Sequence, residues 1–265
     1  MTPLSSRVAD TQRELDDALR VRWDVFGAEL RMLGDKKPHA PREANCFDTL
    51  PTTSHVLVYS GDEPVATSRL LLPNTEVAAS AGSVLGLDIE RKLDLSQLAA
   101  PGRVFAETTR YCVSRHNRNG AVMPRLQTAL YRESRRRGVT HWIAAANMET
   151  DSPEEADLLY RAAARRGWVS DRYPVRTREF PAPPPAPVAP FLKPPELERA
   201  RKGELDGLRM PRVLSLFADK LGARFIGPPH YDKAFHRFTV PLVAALDEIP
   251  QGTLRLFARL DADAA

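Results

Sequence analysis

The sequence predicts an α/β (α+β) protein in which a mixed central sheet is flanked by helices. An amphipathic helix comes first, and segments rich in β-formers then alternate with helical ones as far as residue 147. The short apolar segment "THWIAAANM" is typical of a strand at the centre of a sheet.

The first half of the chain contains a helix, a hairpin and a strand. Residues 10–33 are predicted to be helical because Leu15, Leu19, Trp23 and Phe26 fall on one apolar stripe. In "HVLVYSGDEPVATSRLLLP", two apolar runs flank a Gly-Asp-Glu-Pro turn, which predicts an antiparallel hairpin. The segment "RVFAETTRYCVS" is the next predicted strand.

A second helix and the central strand follow. The helix "MPRLQTALYRESRRRG" is predicted to begin near Pro124 and to end at Gly138. After the apolar strand, Ser152-x-x-Glu155 is a capping box, which predicts a helix that runs to about Gly167.

A proline-rich stretch interrupts this pattern. Residues 181–195 contain eight prolines, which favour a stiff, extended chain that cannot lie inside a sheet. The helix "PRVLSLFADKLG" and the strands "ARFIG" and "FTVPLVAAL" beyond it are too few for a domain of their own. We therefore expect a single domain over 1–257, a helical and proline-rich insertion at 149–208, and a disordered tail at 258–265.

The composition points to a cytoplasmic protein without a metal site. No apolar run approaches the ~18 residues of a membrane span, so we expect at most peripheral membrane contact. The first residues have no apolar core of a signal peptide. Cys46 and Cys112 are too few and too far apart for a metal knuckle or a disulfide framework.

Positive charge is concentrated in one stretch. Eight arginines and a single acid, Glu133, lie between Arg110 and Arg137, so the local net charge is +7. Such a stretch favours an anionic partner.

Glu107 and Arg110 lie within the predicted strand "ETTRYCV". Charges inside a buried strand are costly unless they have partners or a function. The two side chains point to opposite faces of an ideal strand, but a β-bulge would turn both toward one cleft. The competing interpretation is a purely structural ion-pair network of these two residues with Asp48 and Arg69.

Four motifs carry a resemblance to a known family. They are Arg22-x-x-Val25-Phe26, Asp48 in "NCFDTL", Arg69 in "ATSRLLLP" and Glu107-x-x-Arg110. In this order they resemble the GNAT-like N-acyltransferases, in the branch that contains acyl-homoserine lactone synthases, N-acyl amino acid synthases and ornithine-lipid N-acyltransferases. The resemblance implies a GNAT-like fold and an enzyme that moves a fatty acyl group from a thioester to an amine.

The resemblance also suggests a role for each motif residue. Glu107 is the candidate general base for the attacking amine. Arg110 and Arg69 are candidates for binding the acceptor's carboxylate. Asp48 would orient the ammonium group or hold one of these arginines. The substrate-binding candidates on the first helix are Arg22, Trp23 and Phe26.

The loop that binds the donor departs from the usual GNAT pattern. The phosphate loop is matched only as Arg115-x-x-Arg118-x-Gly120-Ala121, and an arginine in place of the first glycine would crowd a pyrophosphate. This favours acyl carrier protein over a CoA thioester as donor, with no permanently bound cofactor. The donor-binding or carrier-binding candidates are Arg115, Arg118, Gly120, Ala121, Arg135, Arg136 and Arg137.

Several functions stay open. Autoinducer synthases usually have an acid where this chain has Asn45, and the tryptophan expected after the first helix is missing. We therefore expect an amino acid or a related amine as acceptor, with an autoinducer synthase or an ornithine-lipid synthase as alternatives. From another class, a non-catalytic module could bind acylated partners or nucleic acid, but only Tyr111 and Tyr131 offer base stacking near the basic stretch.

Overall fold

The computed structural model describes residues 3–33, 40–98, 100–118, 120–178 and 190–262. The strands are β1 (Leu4–Val8), β2 (Thr53–Ser60), β3 (Glu63–Leu71), β4 (Leu93–Asp94), β5 (Phe105–Val113), β6 (His141–Asn147), β7 (Arg176–Thr177), β8 (Arg224–Phe225), β9 (His230–Asp232) and β10 (Arg237–Ala245). The α-helices are α1 (Gln12–Arg22), α2 (Thr75–Ala81), α3 (Val122–Arg136), α4 (Pro153–Arg165), α5 (Pro194–Arg201), α6 (Arg212–Ser215) and α7 (Gln251–Ala262).

Eight of the ten described strands form one large mixed sheet, which confirms the predicted fold class. Its order is β1-β2-β3-β5-β6-β10-β8, and β9 also pairs with β10. Strands β5 and β6 are parallel, whereas the other described neighbours in this sheet are antiparallel. β4 and β7 pair separately. Strands β5 and β6 are therefore a parallel pair within an otherwise antiparallel sheet.

Helices cover both faces of this sheet. Side chains that follow one another along a strand point to opposite faces. Accordingly, Val113 of β5 belongs to the large apolar core that includes α3 and α6, whereas Cys112 packs with Val21 and Phe26 on the α1 side. The middle of β5 is thus buried from both sides.

The first helix differs from its prediction over 10–33. It begins after Thr11, whose side chain forms a capping box with Glu14. After Arg22 the α-helix continues as a π-helix over Trp23–Glu29. A second π-helix, Leu216–Lys220, follows α6. Such wide turns occur often at functional sites, and apolar spacing alone does not reveal them.

The end of the chain differs from the expected tail over 258–262, and residues 263–265 lie outside the described residues. Residues 258–262 belong to α7, which is anchored because Phe257 is buried against Tyr131 of α3, with 5.4 Å between the ring centres. Arg132 also binds Asp261 at 2.6 Å. Contacts with α3 therefore order a segment whose own composition indicated disorder.

Residues 179–189, which include most of the proline-rich stretch at 181–195, lie outside the described residues. At its end, Pro194 begins α5 instead of continuing an extended chain, since proline is well tolerated in the first helical turn. The strand before the expected insertion, β6, pairs with β10 after it. The division into one domain with an insertion at 149–208 stays a prediction.

No helix in the described part of the chain is long and apolar enough to cross a membrane. The cytoplasmic location stays a prediction.

Candidate active site

A cavity lies where β5 and β6 part. The two strands pair from Phe105 opposite His141 to Glu107 opposite Ile143, and no further. Beyond that point a cavity of about 140 Å³ is lined by residues 108–111 of β5 and 144–147 of β6. We call it the inner cavity.

The inner cavity is lined from both faces of the sheet. On the α1 side, Phe26 of the π-helix contributes to its wall. On the other side, the wall includes Val213 of α6 and Phe217 of the π-helix that follows. Side chains from both faces of the sheet therefore wall the gap between the strands.

A β-bulge brings Glu107 and Arg110 to this cavity. Thr67 pairs with Cys112 and Arg69 with Thr109, so β5 has one residue more than β3 in this interval. Arg110 has a φ of 58°, which is uncommon for a residue other than glycine. Both Glu107 and Arg110 line the inner cavity, as the bulge hypothesis predicts.

Glu107 is a buried carboxyl group. It is only 5% exposed, and its Oε2 accepts a hydrogen bond from the backbone N–H of Ile89 at 2.8 Å. Burial raises the pKa of Glu107 to about 7, with a further contribution from the nearby Asp88, while Arg69 and Arg110 oppose the shift. A carboxyl group with this pKa can exchange a proton near neutral pH.

A second buried acid shapes the turn that meets Glu107. The carboxylate of Glu90 accepts hydrogen bonds from the backbone N–H groups of Val84 and Leu87, at 2.8 and 3.0 Å. These bonds fix the short turn Asp88–Arg91. That turn presents the N–H of Ile89 to the Glu107 carboxylate.

Asp48 lies at the centre of an ion-pair network behind the inner cavity. Its Oδ1 is 2.7 Å from Arg22 Nη1 and 2.9 Å from Arg69 Nη1, and both arginines are fully buried. Burial alone would raise the pKa of Asp48, but the two arginines hold it well below its usual range. Arg69 Nη2 also binds Asp88 at 3.0 Å.

Glu43 completes the ion-pair network. The sequence analysis did not identify it as a candidate site residue. It binds Arg22, and both of its carboxylate oxygens are 3.1 Å from Arg110 Nε. Glu43 lies two positions before Asn45, where the resembling synthases usually have an acid. Its position next to that motif was the available signal.

The predicted site residues divide into those that line a cavity and those that are held in the ion-pair network. Phe26 lines the inner cavity. Arg22, Asp48 and Arg69 line neither this cavity nor the adjoining larger one described below, among the described residues. Of the two roles considered for Asp48, the geometry supports holding arginines. Arg69 would have to give up its carboxylate partners to bind a substrate.

A larger cavity of about 570 Å³ adjoins the inner one. Trp23, the remaining candidate from the first helix, lines it. The two cavities share Asp88, Lys92, Arg110, Asp232 and Phe235. We call the larger space the outer cavity.

The first group of donor-binding candidates lies before α3. Arg115 is exposed, and Arg118 Nη1 binds Glu29 at 2.7 Å. Gly120 has a φ of 139°, and open space surrounds the position of a Cβ atom there. Gly120 and Ala121 are both exposed at the beginning of α3.

The second group, Arg135 to Arg137, lies at the opposite end of α3, roughly 20 Å away at 1.5 Å per residue. Arg136 and Arg137 bind the buried Glu133 at 2.7 and 2.9 Å. Arg110, counted in the basic stretch, belongs to the buried network instead. The local charge of +7 is therefore not one continuous surface.

The chain matches the family described as N-acyl amino acid synthase FeeM over residues 17–151. Among solved structures, the CoA-dependent acyl-homoserine lactone synthase BjaI with MTA is 15% identical with a TM-score of 0.53, covering 98% of this chain and 90% of that chain. BjaI with SAM and isopentyl-CoA is 16% identical with a TM-score of 0.51 and the same coverage. No match was found among curated proteins.

The similarity to BjaI concerns the fold, because the identity is low. It confirms the predicted GNAT-like fold. The matched range 17–151 contains all four motifs that carried the resemblance.

Proposed function

The chain belongs to the N-acyl amino acid synthase FeeM family and is an acyltransferase, and on this premise we propose the reaction that it catalyses. It moves a long-chain fatty acyl group from the thioester of acyl carrier protein or CoA to the amino group of an amino acid or related amine. Glu107 acts as the general base.

One observation carries this proposal. A carboxyl group with a pKa raised to about 7 lines a cavity in the gap between two parallel strands, beside Arg110. Groups with such perturbed pKa values concentrate at functional sites. A purely structural acid is better placed in an ion pair that keeps it charged, as Asp48 is.

The chemistry requires an amine without its extra proton. An α-amino group has a pKa of about 7.7–8 in peptides, so most of it is protonated at neutral pH. Glu107 takes that proton, directly or through a water, and the nitrogen attacks the thioester carbon. The C–N bond forms, the C–S bond breaks, and the thiolate leaves and takes up a proton. Backbone N–H groups at the bulge are candidates for stabilising the oxyanion.

The direct test is product formation. The purified protein is incubated with palmitoyl-loaded acyl carrier protein or palmitoyl-CoA and a mixture of amino acids, and products are identified by mass spectrometry. An N-palmitoyl amino acid is the expected result. Hydrolysis of the thioester without any amide product, with both donors, would contradict the proposal.

An autoinducer-type synthase is the second candidate. Glu43, two positions before Asn45, adds a carboxylate that binds Arg22 and Arg110, so the network contains a nearby acid although Asn45 does not provide one. BjaI, which shares the fold, has been solved with SAM and isopentyl-CoA. Adding S-adenosylmethionine and ornithine to the acceptor mixture separates the alternatives, since each acceptor gives a product of different mass.

Catalysis and stability should both depend on pH through Glu107. We expect kcat/KM to rise with pH through about 7, because the base must be deprotonated. The folded-state pKa is above the unfolded value of about 4.3, so this group's stabilising contribution is full below that value and is lost as the pH rises through 7. The Glu107→Gln variant should lack this part of the stability profile in denaturant titrations. An identical profile in both proteins would contradict the assignment.

Docking of a carrier protein can be tested at Arg135. This side chain is exposed and has no carboxylate partner in the described part of the chain, whereas its two neighbours bind Glu133. Arg135→Glu should raise KM for acyl carrier protein roughly 3- to 10-fold, because a charge at the rim of an interface is reversed. KM for acyl-CoA should change little.

Arg199→Glu on α5 is the matched control, since Arg199 is equally exposed. Equal effects of Arg135→Glu on both donors would argue against a carrier-protein surface at this end of α3.

A further inference from the structure

The outer cavity has more basic than acidic side chains in its wall. The basic residues are Arg42, Arg91, Lys92, Arg110 and Lys233, and the acidic ones are Glu43, Asp88 and Asp232. A concave site with an excess of one charge attracts a ligand group of the opposite charge. The wall therefore favours an anionic group.

The acids of this wall already have cationic partners. Glu43 binds Arg110, and Asp232 binds Lys92. Asp88 binds Arg69, which lies outside the wall. By contrast, Lys233 is exposed and has no carboxylate partner within the described ranges. Its ammonium group is available to a ligand.

His230 adds an unpaired polar atom. The residue lines the outer cavity and is 2% exposed. Its Nε2 lies 3.1 Å from the hydroxyl of Thr239, and its Nδ1 has no partner among the described residues. Burial and the nearby Lys92 lower the pKa of His230 to about 4, so the ring is neutral at pH 7. A ligand oxygen would favour the tautomer with its proton on Nδ1.

We infer that Lys233, with His230 Nδ1, binds the carboxylate of the acceptor, while Lys92 stays paired with Asp232. This rests on the proposed function and assigns the carboxylate to Lys233 in place of the buried Arg69. Lys92 lines both cavities. The amine of an acceptor held in the outer cavity then points toward Glu107, which lines the adjoining inner cavity.

This arrangement selects amino acids over simple amines. L-Phenylalanine and 2-phenylethylamine form a suitable first pair, because they differ only in the carboxylate and Trp23, Tyr231 and Phe235 line the outer cavity. We expect kcat/KM for phenylalanine to exceed that for the amine roughly 10- to 100-fold, as for a hydrogen-bonded charged group.

Replacing Lys233 tests the site directly. Lys233→Gln should raise KM for phenylalanine about tenfold or more, a much larger change than in KM for 2-phenylethylamine, which has no carboxylate to lose. Lys202→Gln, at an exposed lysine after α5, is the control and should match the wild type. Equal effects on both acceptors, or no discrimination by the wild type, would overturn the inference.

A binding measurement separates this inference from the proposed function. If no amide forms with any acceptor, the proposed function fails, but calorimetry can still compare phenylalanine with 2-phenylethylamine. Tighter binding of phenylalanine that is lost in Lys233→Gln supports the carboxylate site by itself. Equal affinity for both compounds, unchanged in the variant, rules it out.

Discussion

Replacing Glu107 with glutamine should slow acyl transfer by ~10²–10⁴-fold, the range typical of a lost general base. Glutamine keeps the size of the side chain and an oxygen that can accept the hydrogen bond from Ile89 N–H, but it cannot take a proton from the amine. The loss should appear in kcat, measured with saturating donor and acceptor.

Stability measurements show whether the loss of activity in Glu107→Gln comes from the missing base or from unfolding of the protein. At pH 8 the wild type carries a buried carboxylate whose ionisation is opposed by burial, and Glu107→Gln removes that cost. The variant should therefore unfold at the same denaturant concentration or higher. Glu63→Gln, at an exposed acid of the hairpin, is a control for amide substitution. Wild-type kcat in Glu107→Gln would remove this residue from its proposed role.

Replacing Asp48 with alanine should lower the free energy of unfolding by about 3–5 kcal/mol, as when one partner of a buried ion pair is removed. Asp48 pairs with Arg22 and Arg69, which are fully buried. Each arginine would keep only part of its pairing, with Glu43 and Asp88 respectively. Denaturant titration measures the loss.

Asp16 provides a matched control. It binds Arg42, but both side chains are partly exposed, so Asp16→Ala should cost at most ~1 kcal/mol. Domains are typically stable by only 5–15 kcal/mol, so Asp48→Asn gives the comparison if Asp48→Ala does not fold. A loss of unfolding free energy no larger than that of Asp16→Ala would show that the buried arginines tolerate the removal of a carboxylate partner.

Much of the fold was predictable because local signals agree with it. The hairpin of β2 and β3 follows from two apolar runs around a turn. Ser152 caps α4 as predicted, although the Glu155 carboxylate accepts hydrogen bonds from Phe191 and Leu192 N–H instead of closing the capping box. By contrast, β1 is a short strand of alternating burial that owes its position to pairing with β2, and α7 depends on its contact with α3. Contacts between distant parts of the chain leave little trace in local sequence.

The site was predictable to a similar degree. Two charges in a strand indicated that Glu107 and Arg110 share a cavity, and the bulge places them there. The sequence did not reveal that Arg22 and Arg69 would be enclosed by carboxylates, because nothing in it specifies which acid meets which arginine. Glu43 was missed for the same reason, since it joins the network across 67 positions from Arg110.

The gap between β5 and β6 bears on the order in which the two substrates bind. Its walls come from both layers of helices and it adjoins the outer cavity, so under the proposed reaction the thioester and the amine have neighbouring spaces to occupy. Under the proposed reaction, the second substrate can then enter while the first is still bound. Such geometry favours a ternary complex in which the chain passes directly from sulfur to nitrogen, over a cycle in which one product departs before the other substrate arrives.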